Sequence, residues 1–202
     1  MIKRWDVVTI GNLSRNHYWG EPDNRALRAP LSTSTLITGD GWRLLVDPPY
    51  ADGLQMAEEL NRRTGLHLGD ITHIFVTHGH IDHHAGLKHF TDATWLAAPA
   101  VANALNDSNV YNLSIGPAEG RLLDDLEILP TPGHTPDHHS LRFECEGKAV
   151  VIAGDAVMTR DFWRDRKGFF NSADFEEVAR TMDRLAELAA VIVPGHGNYF
   201  LV

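Results

Sequence analysis

A β-branched, apolar run, Ile71-Thr72-His73-Ile74-Phe75-Val76, breaks off into Thr77-His78-Gly79-His80-Ile81-Asp82-His83. No other segment limits so strongly what this chain can become. The run reads as a buried strand over 71–77, and the knot that follows cannot be buried without partners for its ionisable groups. His78 and His80 are two apart, so extended backbone turns both rings the same way. Gly79 between them allows a close approach. Asp82 and His83 come where a helical pattern starts, over 82–89, and add a carboxylate and an imidazole to the same pocket. Four candidate ligands within six residues indicate a metal.

Three later positions repeat the design on a smaller scale. Pro132-Gly133-His134-Thr135, Ala153-Gly154-Asp155-Ala156 and Pro194-Gly195-His196-Gly197 each place one polar residue beside glycine, just past an apolar stretch. Singly, each reads as a loop residue. Beside the first cluster they read as ligands. Histidine is also the conspicuous residue of the composition, with 12 in 202 positions.

The rest of the pattern is strands with helices inserted. Strands are predicted at 6–10, 34–38, 42–47, 93–98, 126–129, 140–144, 149–153 and 190–193, with Pro48-Pro49 stopping the third. Helices are predicted at 53–63, with Leu54, Met56, Ala57 and Leu60 on one side, and at 99–106, with proline in the first turn. The strongest helical pattern is 171–188, capped by Asn171 with Asp174 as its reciprocal partner. Segments 12–30, 107–120 and 158–170 read as loops. Two strand-rich halves, each with its own helices, predict an α/β (α+β) fold of two facing sheets with outer helices. We expect one domain over residues 1–202.

Composition excludes several classes. A net charge of −9 argues against a broad nucleic-acid surface, whose affinity comes from neutralising phosphates. No apolar stretch reaches the roughly 20 residues of a membrane span, and the N-terminal residues lack a signal-peptide pattern, so the expected location is cytoplasmic. The single cysteine, Cys145, rules out an intrachain disulfide; it shares a strand face with Leu141 and Phe143 and reads as a packing thiol.

The ordered set His-x-His-x-Asp-His, then His134, Asp155 and His196, resembles the metallo-β-lactamase superfamily over nearly the whole chain. The resemblance implies a four-layer αβ/βα sandwich with two metals at one edge of the sheets. It implies one metal on His78, His80 and His134, another on Asp82, His83 and His196, and Asp155 between them. Asp47 matches a position that supports the ligands from behind. These donors suit two zinc ions, and iron or manganese as well. The implied chemistry is hydrolysis by a metal-bridging hydroxide, with Asp82 or Asp155 relaying the proton.

Asp155, where many true β-lactamases carry cysteine, points to the glyoxalase II, lactonase and nuclease side of the family. A small ester, lactone or thioester is the expected substrate. Phosphodiester cleavage with the same ligands is the first alternative, and a mononuclear iron dioxygenase acting on a persulfide the second. The C-terminal helical extension of glyoxalase II does not follow His196 here. Arg160 and Trp163, in the aromatic and basic stretch 158–170, and Tyr50 and Tyr111 are candidate substrate contacts. The remaining histidines (His17, His67, His73, His84, His89, His138 and His139) read as surface or packing residues, with His84 and His138 adjoining the site.

Overall fold

The computed structural model describes residues 1–123 and 125–202. The first sheet runs in chain order: β1 (Ile2–Thr9), β2 (Ser34–Gly39), β3 (Arg43–Val46), β4 (His73–Val76), β5 (Thr94–Ala97) and β6 (Gly116–Pro117). The second holds β7 (Arg121–Leu122), β8 (Leu126–Pro130), β9 (His139–Cys145), β10 (Lys148–Gly154), β11 (Val191–Pro194) and β12 (Phe200–Leu201), also in sequential order across the sheet. Both sheets are mixed. Strands β3 to β6 are parallel, as are β10 and β11, and the other pairs are antiparallel. The helices are α1 (Gly53–Thr64), α2 (Ile81–His84), α3 (Pro99–Asp107), α4 (Arg160–Asp165) and α5 (Phe175–Leu188).

Alternation along the central strands sorts side chains into layers. In β3, Leu44 and Val46 enter one core and Leu45 another; in β4, Phe75 joins the first and Ile74 and Val76 the second. The core of Leu44, Val46 and Phe75 also contains Val150, Ile152, Val191 and Val193 from the other sheet, so the two sheets face each other across it. Met56 and Leu60 of α1 and Val101 of α3 cover the outer face of the first sheet. Val178, Met182 and Leu185 of α5 cover Val151, Ala153 and Ile192 on the outer face of the second. This is the helix–sheet–sheet–helix sandwich expected from the sequence. Each fully buried aliphatic or aromatic side chain contributes about 1.5–3 kcal/mol, so the strand ends that carry the site rest on rigid layers.

Several local expectations are corrected. Leu54 is exposed, because it lies about 160° round α1 from Met56 at 100° per residue. The predicted 82–89 helix is α2 followed by a separate 3-10 turn at Leu87–His89, with Gly86 N held by Pro48 O instead of continuing the helix. Stretch 158–170 is not all loop: it contains α4, stabilised by burial of Phe162 and Trp163. Asn171 does not cap α5. The backbone N–H groups of Ser172, Ala173 and Asp174 donate to Phe169, His134 and Gly133 carbonyls, keeping the chain non-helical there. Asp174 is the cap, accepting from Glu177 N at 2.9 Å. The short edge strands β6, β7 and β12 were not expected, since two residues carry no periodicity.

Candidate metal centre

Five strands deliver the site from the same edge, at their C-terminal ends, the usual place for ligands in open α/β sheets. Asp47 follows β3, His78 and His80 follow β4, His134 follows β8, Asp155 follows β10 and His196 follows β11. The β4 knot is tied to β3: Thr77 N and Oγ1 donate to Asp47 Oδ1 and Oδ2 at 2.9 and 2.8 Å. The one-turn helix α2 then lifts Asp82 and His83 into the same pocket. The His134 loop packs on the start of α5, where Gly133 has a φ of 130° and a side chain would meet Val178 N at 2.6 Å.

These residues form two donor groups, His78, His80, His134 and Asp155 in one, Asp82, His83 and His196 in the other. In the first, His80 Nδ1 lies 2.9 Å from both His78 Nε2 and His134 Nε2. Asp155 faces both groups. Its Oδ2 lies 3.2 Å from His134 Nε2 and 3.7 Å from His78 Nε2, and its Oδ1 lies 3.1 Å from His83 Nε2 and 3.2 Å from His196 Nε2. Asp82 Oδ2 stands 3.7 Å from His196 Nε2.

The hydrogen bonds behind the rings fix which nitrogen each ring presents. Thr77 spends its hydroxyl proton on Asp47, so its oxygen can only accept from His78 Nδ1–H, at 3.1 Å. His83 Nδ1–H donates to Asp47 Oδ2 at 2.9 Å. His196 Nδ1–H donates to Asn12 O and Leu31 O at 3.0 and 2.9 Å. Each ring therefore turns a bare Nε2 toward the centre. Lone pairs this close repel unless a cation or proton stands between them, and tetrahedral zinc at its usual Zn–N distance needs nitrogens about 3.3 Å apart. His83 Nε2 and Asp155 Oδ1 are buried with no hydrogen-bond partner among the described residues. The residues present fit two cations.

The shared carboxylate dominates the electrostatics of the centre. Burial pushes His78 well below the usual imidazole value and His134 down to about 4. Burial alone would raise the Asp155 carboxyl, but His83, His196 and His134 outweigh it and hold it well below the carboxylate range. Burial would likewise lower His83 and His196; Asp155 overcomes it in both, helped by Asp47 at His83, and raises them. Without a cation, Asp155 thus draws protons to His83 and His196, the positive charge that a metal would otherwise supply, while His78 and His134 stay neutral.

Over it opens a cavity of about 220 Å³, floored by His80, Asp82, Asp155 and His196 and walled by Leu13, Ser14, Pro30, Met158, Phe169, Phe170 and Asn171. Leu13, Met158, Phe162 and Phe169, with Tyr18, form a small apolar cluster of their own above it. Two of the three expected wall segments, 12–30 and 158–170, contribute; 107–120 does not.

All seven expected ligands and Asp47 are brought together. The expected substrate contacts are not. Tyr50 is partly buried and packs against the core that contains Met56 and Leu60. Tyr111 donates to His84 O at 2.7 Å and stacks edge-on to Trp95, and burial pushes its phenol up to about 12. Arg160 and Trp163 face a different surface cavity, of about 420 Å³, beside Phe200, because α4 turns their side away from the metal edge. Sequence reasoning missed the Asn12 and Leu31 carbonyls, which as backbone acceptors leave no signal. His138 stacks 4.9 Å from His78. A chain of donors, Ser140 Oγ to Ala153 O, Thr131 Oγ1 to Ser140 Oγ and His138 Nδ1–H to Thr131 Oγ1, fixes that ring from the second sheet.

Comparison with known proteins agrees with this geometry. Residues 27–196 match the sequence profile of the metallo-beta-lactamase superfamily. Metallo-beta-lactamase domain-containing protein 1 of Xenopus laevis is 32% identical over 149 residues, 68% of this chain and 59% of that protein. An N-acyl homoserine lactonase of Bacillus cereus is 26% identical over 173 residues, 75% of this chain and 69% of the lactonase. The match thus spans under two thirds of the Xenopus relative. In fold, a metallo-beta-lactamase-like chain of Thermotoga maritima superposes with a TM-score of 0.73 at 21% identity, over 100% of this chain and 99% of that one.

Proposed function

The chain belongs to the metallo-beta-lactamase superfamily, and on that premise we propose that it is a two-metal hydrolase of a small ester, lactone or thioester. The observation that carries this is one carboxylate, Asp155, turning separate oxygens to two donor groups beneath a small, mostly apolar cavity. His78, His80 and His134 would hold one cation, Asp82, His83 and His196 the other, with Asp155 shared. Nitrogen and carboxylate donors suit zinc. Two such cations supply Lewis acidity toward a carbonyl oxygen and acidify a water.

The chain's own residues do the rest. Both Asp155 oxygens face imidazoles, and the residue is buried, so it serves to hold charge. Asp82 is a partly exposed carboxylate on the cavity floor. It would take a proton from the attacking water and return it to the leaving group. Met158, Phe169 and Phe170 exclude water and seat an apolar substituent, while Ser14 and Asn171 offer hydrogen bonds to its polar end.

Cavity size supports a small substrate. The volume of about 220 Å³ lies below the roughly 300–1,000 Å³ of most ligand pockets. Among the described residues, the lining contains no arginine or lysine to pair with a phosphate. The B. cereus relative is a lactonase by name, which favours carbonyl chemistry. The second donor group favours two cations over the single iron of a dioxygenase.

The test is metal analysis of the purified protein together with a panel of lactone, thioester, β-lactam and bis-aryl phosphodiester substrates. Two metal equivalents and lactone or thioester turnover, both lowered in His80→Ala, are expected. Turnover of the phosphodiester alone would replace this reading with the nuclease-type one.

A further inference from the structure

Segment 12–31 lines the cavity and also aims a ligand, through residues adjacent in sequence. Leu13, Ser14 and Pro30 are wall; Asn12 O and Leu31 O receive His196 Nδ1–H. Those two carbonyls belong to an isolated antiparallel bridge, Asn12 N to Leu31 O at 2.8 Å and Leu31 N to Asn12 O at 3.0 Å. The His196 ring is therefore oriented by the backbone carbonyls of this bridge.

The base of the loop is closed by the β1–β2 ladder, which ends at Thr9 and Ser34, and Thr33 ties that end to Gly195 and Gly197. Beyond that base, the inner side of the bridge is held by a partly buried ion pair within the loop. Arg28 Nη1 donates to Glu21 Oε2 and to Leu13 O, each at 3.0 Å, and Nη2 donates to Glu21 Oε1. Glu21 Oε2 also accepts from Asn16 N at 2.7 Å. Asn12 Nδ2 donates to Ala29 O at 3.0 Å and Leu27 N to Ser14 O at 2.9 Å, zipping the two flanks together. A fork-to-carboxylate pair of this kind is directional as well as strong. Arg28 thus grips the carbonyl next to Asn12. The first donor group does not depend on it: His78 is braced by Thr77, and the His134 loop by the start of α5.

We infer that Glu21 and Arg28 are positioning residues for the second metal position, acting through the Asn12–Leu31 bridge on His196. The inference rests on the two-metal reading above.

The test is titration of the metal-free full chain with Zn²⁺ against a chromophoric competing chelator. His196→Ala and His80→Ala identify which equivalent belongs to which donor group. Arg28→Met, which keeps the aliphatic stem but not the fork, is expected to weaken the His196-dependent equivalent by roughly 10- to 100-fold, the range for residues that orient a ligand. The His80-dependent equivalent stays unchanged. Glu21→Gln, which still accepts from Asn16 N, shifts the same equivalent in the same direction by less. It decides the matter alone if circular dichroism shows that Arg28→Met does not fold. Wild-type affinities in the folded variants, or equal weakening of both equivalents, would overturn the inference while leaving the two-metal reading intact. A wild-type chain that takes up fewer than two equivalents would overturn both.

Discussion

Asp47 Oδ2 lies 2.9 Å from His83 Nδ1, with both side chains essentially sealed from solvent. The carboxylate makes the imidazole keep its proton on the far side and turn a bare nitrogen to the centre. It reaches this place through a backbone φ of 50°, a left-handed conformation that Asp and Asn tolerate better than most residues. Asp47→Asn keeps that backbone and removes the charge. Metal affinity at the second position should fall roughly 10- to 100-fold with little change in the circular dichroism spectrum. Asp47→Ala should in addition lower stability by about 1–3 kcal/mol for each buried donor it orphans, read as a shift in the denaturant midpoint.

Gly195 contributes by having no side chain. A Cβ there would stand 2.0 Å from Asp155 Oδ1 and 2.9 Å from the Gly154 carbonyl carbon. Gly195→Ala should displace the shared carboxylate and cost metal at both positions, while the β-sheet signature persists. Full metal content in this variant would show that Asp155 is not shared.

Phe169 belongs to the cavity wall and to the small cluster above it. Phe169→Ala should cost about 3–5 kcal/mol of stability where the cluster cannot collapse, and less where it can. At permissive temperature it should raise KM for substrates with apolar substituents and leave metal content alone. Unchanged KM across substrates of differing chain length would remove Phe169 from the substrate contacts.

The loop pair has a predictable pH dependence. Hydrogen bonds from Arg28 hold the Glu21 carboxyl below its ordinary value, against a smaller opposing effect of burial. A depressed carboxyl stabilises the fold above its unfolded value, near 4.3, and that contribution is lost as pH falls through the lower, folded value. Amide protection in 12–31 should therefore hold from neutrality down to about pH 4.5 and fall below it, while amides of β10 stay protected. In Arg28→Met the loop should be weakly protected throughout, with no acid step.

The candidate donors and the layers were legible in the sequence, for reasons that lie in local chemistry. His78 to His83 are crowded into one strand end, and β3, β4, β10 and β11 alternate between two cores residue by residue, so short-range spacing was enough to name donors and sheets. Helix borders were less legible. Asp174, not Asn171, caps α5 because the preceding N–H groups bond to the His134 loop, a contact between segments nearly forty residues apart. Tyr50, Tyr111, Arg160 and Trp163 have the chemistry of substrate contacts, but side-chain direction, set by packing, points them elsewhere.

The run from Thr77 to His83 thus determined by itself that this chain gathers metal-binding side chains at a strand end, because ligand type and spacing are properties of the local chain. Tertiary structure decided which candidate donors stand together and what aims them. Asp155 comes to stand between His83 and His134, and the Asn12 and Leu31 carbonyls behind His196, only when both sheets are packed and segment 12–31 is closed. Backbone acceptors and long-range proximity have no residue code, so only the folded chain could place them.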